Sequence, residues 1–284
     1  MFAFHVNWTR PFIVRNPDKP YAVEPFELLT TMLSALEWRA MGGEIAMATD
    51  ALGAAYYASL GLSPLWNGGV RAVLEGLIPN TVSPFAFWAA GKLYALQQMP
   101  VPCVMIDTDF ILWKPIDARC ADADVATIHR EELCPDIYPG PEHFHVAPGF
   151  DLSTLDWTVL PCNTALAYFG SRDFKQLYTD RAISFMEHAP DADDPLTYMV
   201  FAEQRLLAMC ASEAGARLVN LAGLDALFGS EQRAYTHVWG YKQQMRDDPA
   251  AYHAFCRRCA ARLTRDFPEF AEIAAALPSL RMYF

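Results

Sequence analysis

Pro100-Val101-Pro102-Cys103-Val104-Met105-Ile106-Asp107-Thr108-Asp109-Phe110-Ile111-Leu112-Trp113-Lys114-Pro115 is an apolar run that ends in two carboxylates one residue apart and then turns apolar again. A short, β-branched apolar run of this kind reads as a buried strand. Two aspartates at its end repel each other, and desolvating them is costly unless a cation neutralises them. An oxygen-seeking divalent ion is the simplest such cation. Mg²⁺ or Mn²⁺ takes one or two protein carboxylates and keeps its other positions for water and phosphate oxygens. Asp-x-Asp also arises by chance in helix caps and solvated loops, so its surroundings decide the reading.

Upstream, strand-like and helix-like segments alternate. Phe2 to Trp8 reads as a first strand, Pro25 to Met41 as a helix stopped by Gly42-Gly43, Glu44 to Asp50 as a second strand and Ala51 to Leu60 as a helix. Gly69 to Leu74 reads as an edge strand. Ser83-Pro84 reads as the cap and first position of a helix reaching Met99. Such alternation implies an α/β fold with an open, mostly parallel sheet flanked by helices, whose ligand site lies beyond the carboxyl ends of the strands. Asp107 and Asp109 stand at such an end, as do Asn7, Trp8 and Thr9 at the end of the first strand, while Lys114 reads as a solvated flank.

With 284 residues, 53% of them hydrophobic, the chain is long enough for one large α/β domain. The formal net charge of −11 argues against a nucleic-acid partner, which needs clustered Lys and Arg. A small phosphorylated ligand held by a metal and a few donors remains compatible with that charge. The cysteines, seven in all and without a framework, read as reduced thiols of a cytoplasmic protein, and Cys256 and Cys259 as two buried helix thiols. The N-terminus lacks the basic region of a signal peptide, and glycines and prolines break the uncharged stretch from Ala51 to Val70, so no transmembrane segment is expected.

Downstream, Ala123 to Ile128 reads as a strand. The Pro/Gly-rich stretch from Cys134 to Gly149 reads as a mobile loop or lid, within which a two-histidine metal site at His143 and His145 is the rival reading. Trp157 to Gly170 is strand material with Asn163 in its middle, a residue that must find partners as a structural hydrogen-bonder or a ligand contact. Arg172 to His188 and Pro195 to Ala214 read as helices, with Glu203 and Gln204 in the second, where a charged surface turn is the plain expectation. Arg217 to Leu221 is a short strand. His237, between β-type residues and beside Trp239-Gly240, reads as a neutral imidazole ligand projecting from a strand end. From Asp247 the chain reads as an amphipathic helix, with Arg257, Arg258, Arg262 and Arg265 solvated.

Trp88 with Gly91-Lys92-Leu93-Tyr94, then Met105-Ile106-Asp107-Thr108-Asp109 and Leu112-Trp113-Lys114-Pro115, resembles the DXD region of bacterial GT-A-type glycosyltransferases. The likeness is greatest to the branch associated with capsular-polysaccharide or sugar-transfer proteins. Cys162-Asn163-Thr164-Ala165, Phe201-Ala202-Glu203-Gln204 and Tyr235-Thr236-His237-Val238-Trp239-Gly240 continue the resemblance in order. It implies one GT-A-like domain over 1–284, with a nucleotide-sugar-binding half at 1–130, an acceptor-side half at 131–245 and a helical C-terminal part at 246–284. It also implies a metal-dependent transferase of polysaccharide biosynthesis, moving a sugar from a nucleotide sugar, a UDP-sugar foremost, to a glycan or other hydroxyl acceptor. Asp107 and Asp109 would hold Mn²⁺ or Mg²⁺ with His237 completing the shell. Asn7, Trp8 and Thr9 would lie near the nucleotide, Lys92 near the sugar or phosphate, and Asn163 on the acceptor side. Glu203 and Gln204 would be catalytic, Glu203 as base or as stabiliser of a sugar cation.

Two other classes share these features. A haloacid-dehalogenase-like phosphatase also carries Asp-x-Asp after an apolar strand, and Asp191, Asp193 and Asp194 would then mimic its second metal motif. A non-catalytic domain binding nucleotide sugar or glycan would keep the pocket without turnover.

Overall fold

Alternate residues of the central strands are buried on opposite sides, which divides the core into two layers around one sheet. The computed structural model describes residues 1–224 and 233–284. Its main sheet comprises β1 (Phe2–Asn7), β2 (Glu44–Thr49), β3 (Val70–Arg71), β4 (Cys103–Ile106), β6 (Val125–Thr127), β7 (Leu166–Phe169) and β8 (Leu218–Asn220), in the order β3-β2-β1-β4-β7-β6-β8. β1 runs parallel to β2 and β4, β2 to β3, and β6 to β8, whereas β7 is antiparallel to both neighbours. The expected open, mostly parallel sheet is therefore present, with one reversed strand. A separate ribbon pairs β5 (Phe110–Leu112) with β9 (Tyr235–His237) in antiparallel register.

Ala3, Ile45, Met47, Val104 and Ile106 face the helix Pro25–Ala40 and the C-terminal helices Pro249–Asp266 and Pro268–Ala276. Phe4, Ala46, Ala48, Cys103 and Met105 face the helices Ala90–Gln98, Arg172–Glu187 and Leu206–Glu213. Burial on both faces removes any polar alternation, which is why β4 reads as a continuous apolar run.

Several boundaries depart from expectation. Residues 84–89 are turns, and the helix begins only at Ala90: Ser83 Oγ accepts from the Ala86 amide at 3.3 Å and so caps a turn. β3 is only two residues long, and strand structure between Trp157 and Gly170 is confined to Leu166–Phe169. The expected continuous helix from Pro195 is α-helical over Thr197–Val200, widens to a π-helix over Phe201–Arg205 and resumes at Leu206–Glu213. Such π-segments often mark functional sites. The Cys134–Gly149 stretch is pinned rather than free, since Arg205 donates to the carbonyls of Tyr138 and Pro139 at 3.0 and 2.7 Å, and Phe144 is buried against Phe201 and Trp157. Arg262 is not simply solvated: it pairs with Glu37 at 3.1 Å and lies over the Trp113 ring. All the cysteines are free, Cys256 and Cys259 buried, and no helix among the described residues is long and apolar enough to cross a membrane.

Candidate active site

β4 ends at Ile106, and the chain reverses through a turn in which the Phe110 amide donates to the Asp107 carbonyl at 3.0 Å. This turn puts Asp107 and Asp109 at the carboxyl edge of the sheet. The β5–β9 ribbon pairs Phe110 with His237, and the Val238 amide donates to the Asp109 carbonyl at 3.3 Å. His237 is thereby fixed beside Asp109, Nε2 to Oδ2 4.0 Å. One ligand atom from each of Asp107, Asp109 and His237 lies within 4.8 Å of the others, the one such three-residue group among the described residues.

The turn is braced from below. Trp66 Nε1 donates to His5 Nδ1 at 3.2 Å, so the ring proton sits on Nε2 and donates to Ser34 Oγ at 2.9 Å; Ser34 in turn donates to the Phe110 carbonyl at 2.6 Å. Burial pushes the His5 imidazole down to about 3, which keeps it neutral for this relay.

Two lysines neutralise the carboxylates. Lys92, on the helix Ala90–Gln98, contacts Asp107 and lies 2.8 Å from Glu203 Oε1. Gly91 permits that approach, because a Cβ there would stand 2.9 Å from Trp8 Cβ and 3.1 Å from Leu74 Cδ1. Lys242 lies 2.9 Å from Asp109 Oδ2 and 3.7 Å from Glu27. Burial opposes the charge on Lys92, yet Asp107 and Glu203 outweigh it and raise its pKa. Burial, helped by Glu203 and Asp109 and opposed by Lys92, pushes Asp107 up to about 7. Asp109 is the more buried of the two, but Lys242 and then His237 outweigh that burial and hold it below the usual carboxylate range. Burial pushes His237 down to about 4, so the imidazole is neutral near pH 7 and its lone pair is available.

The donor set fits a divalent ion: two carboxylates and one neutral imidazole converging at a sheet edge, with the oxygens now held by ammonium groups that such an ion would displace or share. A cavity of about 270 Å³ opens over the group and is also lined by Asn7, Trp8, Glu27 and Trp88. Thr9 is not brought there; it is buried, and its amide and hydroxyl both donate to Asp50 Oδ2 at 2.8 Å. A second cavity of about 490 Å³ adjoins the first and is lined by Asn163, Glu203 and Gln204, among others. Glu203 is 3% exposed, in the π-helical turn rather than on the surface, and its Oε1 accepts from Lys92 and from Thr164 Oγ1, each at 2.8 Å. Gln204 Oε1 accepts from the Tyr138 hydroxyl at 2.5 Å. Asn163 Nδ2 donates to Glu131 at 2.9 Å.

The rival metal readings gain no support. His143 Nε2 is 2.9 Å from Thr197 Oγ1, and neither His143 nor His145 belongs to a group of three metal-ligating residues among the described residues. Asp194 caps the chain at Leu196 and Thr197, and none of Asp191, Asp193 or Asp194 joins the Asp107 group. Sequence reasoning missed Lys242, Glu27, Glu131 and the His5–Ser34 brace. Only Lys242 carried a signal, as a cation just beyond His237-Val238-Trp239-Gly240.

No protein-family model and no curated protein sequence matches the chain. Among solved structures it is similar to the galactosyltransferase LgtC in complex with donor and acceptor sugar analogs, at 10% identity and TM-score 0.40 over 78% of this chain and 73% of that one. It is also similar to mouse xyloside xylosyltransferase 1 in its apo form, at 9% identity and TM-score 0.40 over 78% of this chain and 84% of that one. At such values the likeness is one of chain path, and a functional reading has to rest on the site.

Proposed function

We propose that the chain is a metal-dependent glycosyltransferase that moves a sugar from a nucleotide sugar to a hydroxyl acceptor. The observation that carries this reading is the Asp107–Asp109–His237 group at the mouth of a cavity that continues into a second one. A divalent ion held by those three residues, Mn²⁺ being favoured by the imidazole, would neutralise the charge that gathers on a departing diphosphate.

The chain's own residues supply the rest. Lys92 and Lys242 place two fixed positive charges over the cavity floor, where developing phosphate charge is stabilised without reorganisation. Asn7 and Trp8, at the end of β1, line the side assigned to the nucleotide. Glu203 holds Lys92 and lines the second cavity, where a carboxylate stabilises positive charge developing on the sugar. Gln204, fixed by Tyr138, and Asn163 orient the acceptor side. The donor is a UDP-sugar or another nucleoside-diphosphate sugar, and the acceptor a glycan.

The test is a panel of nucleotide sugars with Mn²⁺, Mg²⁺ or chelator, following the melting temperature and the release of nucleoside diphosphate. A bound donor at a hundred times its dissociation constant adds about 2.7 kcal/mol of stability. Metal-dependent release supports the proposal. Binding without release assigns the chain to the non-catalytic class, and the absence of both binding and release refutes the reading.

A further inference from the structure

The larger cavity shares Trp88, Lys92, Asp107, His237 and Trp239 with the one over the carboxylate–imidazole group, so the two are continuous. Its fixed charge is lopsided. Lys92 is engaged by Asp107 and Glu203, which leaves Glu131 and Glu132 on the wall with no cation among the described lining residues to balance them. Glu131 is a built feature: its Oε1 sits 3.0 Å from His129 Nε2 and 2.9 Å from Asn163 Nδ2, on partners that are themselves buried. Burial would raise its pKa, but these two donors lower it, so the group stays an acceptor-only carboxylate. The rim is aromatic. Trp88 and Trp239 are 42% and 60% exposed, large apolar faces at the junction of the cavities rather than in the core.

We propose that this cavity is the acceptor subsite, that it takes an uncharged or amine-bearing sugar between the two indoles, and that it rejects glycans bearing carboxylate or phosphate. The inference rests on the glycosyltransferase reading above. Apolar C–H faces of a pyranose cover indole rings, while Glu131 accepts a hydrogen bond from an acceptor hydroxyl or ammonium. A uronate or phosphate placed there meets the half-buried Glu131, where like charges are only partly screened, and the exposed Glu132 beside it. A divalent ion and the diphosphate it binds carry opposite charges and leave this balance largely unchanged.

Cys134 lines the same cavity and is the only exposed cysteine of the seven, so its rate of modification by a thiol reagent reports occupancy. The full-length chain is mixed with uridine diphosphate and Mn²⁺, binding of which is first established by calorimetry. Cys134 is then titrated with the reagent alongside methyl glucoside, methyl galactoside, methyl glucosaminide and methyl glucuronide. Saturable protection by one or more of the first three sugars, with none from the glucuronide at about ten times the concentration, is the expected result. In Glu132→Gln, where one of the two like charges on the wall is gone, glucuronide gives detectable protection. Glucuronide protecting as well as the neutral sugars overturns the charge selection. No protection by any sugar while the nucleotide still binds overturns the cavity assignment and leaves the proposed function standing. Failure of uridine diphosphate and other nucleoside diphosphates to bind refutes the donor reading itself.

Discussion

Lys92→Met removes a buried ammonium from between two carboxylates. The Lys92 side chain is 13% exposed, and those of its partners Asp107 and Glu203 are 20% and 4% exposed. At the 2.8 Å separation from Glu203, one such pair is worth about 6 kcal/mol of gross Coulomb energy at an effective dielectric of about 20. Most of that is offset by the cost of desolvating the charges, and removing one partner of a buried pair typically destabilises by about 3–5 kcal/mol. Asp107, already raised to about 7, takes up a proton at neutral pH once Lys92 is gone, which puts the expected loss near the lower end, about 3 kcal/mol. For a domain of this size that is a drop in melting temperature of roughly 6–12 °C. If Asp107 belongs to a cation site, Mn²⁺ at about a hundred times its dissociation constant returns about 2.7 kcal/mol to the variant. The assay is thermal and denaturant unfolding of wild type and variant in chelator and in Mn²⁺. A variant as stable as wild type in chelator, or one that gains no stability from Mn²⁺, would show that Lys92 and the ion do not serve the same carboxylates.

Asp107→Asn and Asp109→Asn keep the fold, as shown by an unchanged circular dichroism spectrum, but lose metal-dependent nucleotide binding in calorimetry; His237→Ala weakens Mn²⁺ strongly and Mg²⁺ little. His5, whose folded pKa is depressed to about 3 from 6.5, contributes stability that is fully present above pH 6.5 and is lost as pH falls toward 3. The loss approaches about 1.4 kcal/mol per pH unit. His5→Asn should flatten the slope of unfolding free energy between pH 6.5 and 4, and an unchanged slope disproves the buried neutral imidazole. Lys175→Met strips the carbonyls of Leu96, Gln97 and Met99 of a shared donor at the end of the helix that carries Lys92. It should cost about 2–3 kcal/mol in urea unfolding without removing nucleotide binding.

The alternation of strands and helices was legible because its cause is local: residue spacing and breakers such as Gly42-Gly43 act within a few positions. The same holds for the Asp-x-Asp turn, where two acids one residue apart after an apolar run betray a charge problem whatever the rest of the chain does. His237 stood out for its β-type neighbours, but its pairing with Phe110 is a matter of ribbon register. The π-helical turn that buries Glu203 has no local signature, because a wide turn is held by its tertiary partners, here Lys92 and Thr164 on the carboxylate and Tyr178, whose hydroxyl donates to the Glu203 carbonyl. Thr9 read as a ligand contact because it ends a strand, yet Asp50, which ends the neighbouring β2 segment, claims both of its donors. Residue order alone shows where charge would be awkward. Which charges answer it is a matter of distance in space: Lys92 and Lys242 meet the two aspartates from separate stretches of chain, and Glu203, from a third, holds Lys92.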